Sequence, residues 1–79
     1  MSDSISIRVL RENMILALLA QGPRPVVDLT RDVEFTRHDS RTRKLLFGLD
    51  KTNHVGWDQD GDWSITREGL SRLQQMRSA

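Results

Sequence analysis

The densest run of side chains able to do chemistry lies between Thr36 and Lys44, TRHDSRTRK. Arg37, Arg41, Arg43 and Lys44 can neutralise phosphate, and an Arg guanidinium can donate two hydrogen bonds to O6 and N7 of guanine. His38 and Ser40 complete the set of candidate contacts. Within the same run, His38-Asp39-Ser40 contains the letters of a hydrolase triad. Such triads join distant segments, and three backbone neighbours do not provide that geometry. Asp58-x-Asp60-x-Asp62 suggests a calcium loop, but that loop needs Gly at its sixth position and Glu at its twelfth. Trp63 and Gly69 stand there. His38 and His54 lack a third metal ligand and read as surface residues. The expectation is a chain without catalysis, metal or cofactor.

The elements that position these residues must fit in 79 residues. That length makes one domain, residues 1–79, with 1–6 as a loosely held lead. A chain this short buries about 60–65% of its extended-chain surface, so the core is small. Cysteine is absent, which removes disulfides and thiolate metal sites. No apolar run is long enough to span a bilayer. The N-terminal MSDSISIRV puts acid before base and lacks the signal-peptide order of charge, apolar block and cleavage site. The reading is a soluble, cytoplasmic protein. Net charge is only +1, so a nucleic-acid case rests on how charge is distributed.

Thr42, Leu45, Leu46 and Leu49 fall at i, i+3, i+4 and i+7, which predicts a helix from about Asp39 to Thr52 with that stripe buried. Ser40, Arg43, Lys44 and Lys51 then face outward, with Arg41 on the flank. A helix that buries one stripe and offers guanidinium groups on the other can lie in a DNA major groove. The bland alternative is a solvated amphipathic helix.

An earlier helix follows a possible cap at Ser6. Ile7, Leu10, Met14, Ala17, Leu18 and Gln21 trace one face, with Ile15, Leu16 and Leu19 widening the stripe. Alternation of Ile5, Ile7 and Val9 leaves a short strand open there. Gly22-Pro23 ends the helix. Arg24 to Val27 is extended, and a brief helix spans about Val27 to Val33 with Leu29 and Val33 in the core. Either Thr36 or Asp39 caps the next helix. Asn53, tolerant of the left-handed conformation, stops it. Pairing Trp57 with Trp63 and Val55 with Ile65 puts all four on one sheet face and leaves Gln59-Asp60-Gly61 as a loop, with Gly61 left-handed. The two tryptophans then pack the hairpin onto the first and third helices. Thr66 caps a last helix to about Arg77, anchored by Leu70 and Leu73.

This order, with the segments MILALLAQGPRPVVDLT, LLFGLDKTNHVGW and ITREGLSRL, resembles small MarR-like and PadR-like transcriptional regulators. The resemblance covers about residues 7–76 and implies a winged helix-turn-helix domain. Such a domain is mainly α with a small β-hairpin: a three-helix bundle, a two-stranded wing and a C-terminal helix. It further implies sequence-specific binding of double-stranded DNA through the third helix, with Arg37, His38, Ser40, Arg41, Arg43 and Lys44 as contacts, and a homodimer on a pseudo-palindrome. The wing tip departs from the family's basic habit, because Asp58, Asp60 and Asp62 would repel phosphate. The alternative reading is a protein-interaction module or inhibitor that uses the acidic wing or the third-helix face. Phe47, on the polar side of that helix, is open to packing or to a partner.

Overall fold

The computed structural model describes residues 7–33 and 38–78. Among these the chain is a small, mainly helical domain with four helices and a three-stranded antiparallel sheet. The elements run α1 (Ile7–Leu19), β1 (Arg24–Pro25), α2 (Val26–Asp32), α3 (Asp39–Lys51), β2 (Val55–Trp57), β3 (Asp62–Ile65) and α4 (Arg67–Ser78). The lead over residues 1–6, with its Ser6 cap, lies outside the described residues, as do Thr36 and Arg37.

The α3 stripe is buried as its spacing predicts: Thr42, Leu45, Leu46 and Leu49 all leave solvent. They meet Ile15, Leu16 and Leu19 of α1, Leu29 of α2, Val33, Val55, Trp63 and Leu73 in one core. Thr42 is the polar member of the stripe, and its hydroxyl lies 2.7 Å from that of Thr30. This bond satisfies a buried polar group and ties α3 to α2.

Two helix faces depart from expectation. In α1 the buried residues are Glu12, Asn13, Ile15, Leu16 and Leu19. Leu18 is only half-buried, and Ile7 and Leu10 are exposed. The face is rotated because Glu12 turns inward: its carboxylate accepts from Arg72 of α4 at 3.1 Å and pairs with Arg8 at 3.5 Å. Asn13 Oδ1 accepts a second bond from Arg72 at 3.0 Å. Apolar periodicity alone cannot see a charged residue that is buried with a partner. In α4, Leu70 is 40% exposed while Leu73 carries the contact with the core. Of the alternation left open as a strand, Ile7 and Val9 are helical, and Ile5 lies outside the described residues.

The hairpin register is Val55↔Ile65, Gly56↔Ser64 and Trp57↔Trp63. Asp58 and Asp62 close the loop: the Asp58 amide donates to the Asp62 carbonyl at 3.0 Å. Gly61 has φ +88°, as the loop predicts. The Asp58 carboxylate also accepts from the amides of Asp60 and Asp62, at 2.9 and 3.0 Å. Part of the acidic character of this tip is therefore structural. The expected two-stranded sheet has a third strand, because Arg24 and Pro25 pair with Trp63 and Asp62. Pro25 lacks an N–H, and β1 is an edge strand, where that loss is tolerated.

Trp63 is buried, but Trp57 is exposed, contrary to the expectation that both pack inward. Among the described residues no helix is long and apolar enough to cross a membrane.

Candidate nucleic-acid interface

α3 carries the candidate contacts, and three local devices fix it. His38 is its N-cap residue: the His38 carbonyl accepts from the amides of Arg41 and Thr42 at 3.0 and 3.2 Å. The His38 side chain makes no cap hydrogen bond, Asp39 is the first helical residue rather than the cap, and Thr36 lies outside the described residues. Asp39 sits in the first turn, where a carboxylate complements the helix dipole. At the far end Asn53 adopts φ +63°, and the His54 amide donates to the Leu49 carbonyl at 2.8 Å. The His54 ring Nδ1 lies within hydrogen-bond reach of the Thr52 hydroxyl, so this histidine belongs to the helix stop.

The outward face of α3 divides into two surfaces. Arg41 and Lys44 line a cleft of about 460 Å³ together with Arg8 and Arg11 of α1, and Ile7 and Leu45 complete its lining. Four cations thus surround one opening. Arg43 turns the other way, toward the hairpin, and lines a groove with Phe47 and Trp57. His38 and Ser40 are exposed near the start of the helix. Arg37 lies outside the described residues.

The pairing of cations differs across the molecule. Arg8, Arg24, Arg31 and Arg72 each meet a carboxylate within 4 Å. Arg41, Arg43 and Lys44 form no such pair with any described residue. A cation that is exposed and uncommitted keeps its full charge for an incoming anion. The acids Asp58 and Asp60 lie on the hairpin turn and are exposed.

Sequence reasoning missed Arg8 and Arg11. Their i, i+3 spacing puts them on one side of a helix, which was a usable signal. Assigning Ile7 and Leu10 to the core hid it, because that choice turned the arginines away from α3. Gly48 permits the approach of α1: a Cβ there would lie 3.0 Å from the Arg8 guanidinium. Against known proteins, the chain matches no family model, no curated protein and no solved structure.

Proposed function

We propose that this chain is a winged helix-turn-helix domain that binds double-stranded DNA sequence-specifically, as a transcriptional regulator without catalysis. The third helix enters the major groove. Arg41 and Arg43 reach base edges near its start, and Lys44, Ser40, His38 and Arg37 contact phosphate. Arg11, across the cleft from Arg41 and Lys44, extends the phosphate contacts to the first helix.

The observation that carries this reading is the clustering of unpaired cations near the start of α3, apart from Lys51 and Arg67, which are also unpaired among the described residues. The helix-3 cations Arg41, Arg43 and Lys44 are exposed and uncommitted. The order of helices and hairpin agrees with it. Net charge of +1 does not oppose it, because Asp28 and Asp32 pair with other arginines and Asp58, Asp60 and Asp62 lie at the hairpin, which leaves Asp39 as the carboxylate beside the contacts at the start of α3. Exposed Leu10 on α1, with Leu70 and Met76 on α4, offers apolar surface for a homodimer on a pseudo-palindrome.

The test is a salt series on mixed genomic DNA fragments, read by fluorescence anisotropy. Log affinity should fall linearly with log salt, with a slope of about −0.9 for each phosphate neutralised. Absence of binding at low salt would overturn the proposal.

A further inference from the structure

The inner face of the sheet does not end with the core. Val55 is buried, Trp63 lies at the border, and the face continues to Trp57 in solvent. Phe47 of α3 stands beside it, its ring edge-on to Trp63 at 5.9 Å between centroids. Trp57 is tilted against Trp63 at 6.5 Å between centroids. Trp57 is 63% exposed and Phe47 56% exposed. Together with Val26, Arg43 and Asp50 they enclose a groove of about 560 Å³. An open aromatic surface of this kind marks an interaction site. Trp and Arg are also the residue types that most often dominate binding energy at protein interfaces.

The charge on the rim distinguishes among occupants. Asp50 lines the groove directly, and the acidic turn reaches it through Gly61. Asp58 and Asp60 of that turn are exposed. Arg43 is the cation among the lining residues. The lining is balanced, Asp50 against Arg43, and the turn adds the exposed Asp58 and Asp60 beside Gly61, so this end of the groove favours a cation. The face of an exposed indole is also attractive to an ammonium or guanidinium group.

We propose that this groove docks a peptide segment of a protein partner, in which an apolar anchor is flanked by Lys or Arg. The anchor fills the space between Phe47, Trp57 and Trp63. The flanking cation sits over the Trp57 indole and pairs with Asp50 or Asp60. This site lies on the opposite flank of α3 from the cleft that holds Arg41 and Lys44. The proposal does not depend on DNA binding.

The experiment uses the whole chain as bait for a phage-displayed library of random peptides. Enriched peptides are synthesised and titrated, with amide shifts and tryptophan fluorescence as readouts. The expected peptides carry an aromatic or branched apolar residue beside Lys or Arg, and the shifts centre on Phe47, Trp57 and Trp63. Trp57→Ala should weaken them by about tenfold or more. The melting temperature should stay in place, because Trp57 is exposed. Replacing both carboxylates, Asp50→Lys with Asp60→Lys, should weaken cationic peptides and admit acidic ones. Arg41→Ala should leave peptide affinity unchanged, so a failure of DNA binding alone is distinguishable. Three outcomes overturn the proposal: no enrichment, enrichment without cations, or shifts outside the groove. Shifts induced by the chain's own concentration and lost in Trp57→Ala would make a second copy the occupant and overturn it. Tryptophan quenching by oligothymidine but not by peptide would make a nucleobase the occupant, with the same result.

Discussion

The Thr66 hydroxyl donates to the carbonyl of Asn53, the left-handed residue that ends α3. The same oxygen accepts from the Gly69 amide at 3.1 Å and so caps α4. The Thr66 amide, in turn, donates to the His54 carbonyl at 3.0 Å. The end of one helix is thus joined to the start of another across the hairpin. The Thr66-x-x-Gly69 spacing has a physical reason here. The His54 carbonyl occupies the space where a Cβ on Gly69 would project, and Ile65 Cγ1 lies 2.7 Å from it.

Gly69→Ala should therefore destabilise the fold. Alanine favours a helix over glycine by about 1 kcal/mol. The collision is with backbone, which cannot swing aside, and overpacking of this kind costs about 1–3 kcal/mol or more. The net loss should appear as a lower urea midpoint. Gly56→Ala is the control, since its Cβ would meet only the Ser64 hydroxyl at an ordinary 3.9 Å.

The link between Glu12 and Arg72 joins residues far apart in the chain, and both side chains are mostly buried. Removing Arg72 leaves Glu12 with the exposed Arg8 alone. Arg72→Met, which keeps the aliphatic stem, should cost about 2 kcal/mol, the worth of hydrogen bonds to a charged group. Glu12→Leu combined with Arg72→Met should recover much of that, because a paired apolar replacement leaves no stranded charge. A double-mutant cycle by urea denaturation measures the coupling. A pure sum of the two single effects would show that the pair does not hold α1 to α4.

Legibility followed the kind of signal. Where one face is apolar and the other charged, as in α3, spacing alone located the buried residues. The hairpin was legible because the alternation of Val55, Trp57, Trp63 and Ile65 and the turn chemistry of Gly61 point to one register. Helix α1 was misread because it is apolar nearly all round from Met14 to Ala20, so periodicity could not orient it. The extended backbone at Arg24-Pro25 was legible, but its pairing with β3 was not, because two residues are too few for any alternation. Half of the basic cleft followed α1 into the wrong orientation. The spacing of α3 put Arg41 and Lys44 outside the core, whereas the rotated face of α1 hid Arg8 and Arg11 beside them.

The two helices allow a direct comparison of core positions. Leu49 is 1% exposed, and Leu18 is half-buried at the edge of the core. Leu49→Ala should cost about 2–5 kcal/mol. That can exhaust the stability of so small a domain. Leu18→Ala should cost less, since its cavity opens to solvent and can be filled by water or by relaxation. Equal losses in denaturant titrations would place the centre of the core closer to Leu18 than the packing indicates.

The proposed DNA contact separates by residue. Arg41→Ala or Arg43→Ala should weaken binding, and loss of a base contact should relax sequence preference at about 1–3 kcal/mol. Neither side chain reaches the core, so melting temperature should hold. Lys44→Ala should instead reduce the salt slope by about 1 and weaken all sequences alike, as loss of a phosphate contact does. Arg11→Ala, on the other wall of the cleft, should match Lys44→Ala if both meet the same phosphate backbone. Asp60→Asn should leave duplex affinity unchanged or raise it, because it removes a charge that repels phosphate. The backbone N–H of residue 60 still donates to the Asp58 carboxylate, so the turn remains closed. If Arg41→Ala and Arg43→Ala leave duplex affinity untouched while Asp60→Asn lowers it, the working surface is the hairpin and α3 is not the reading helix.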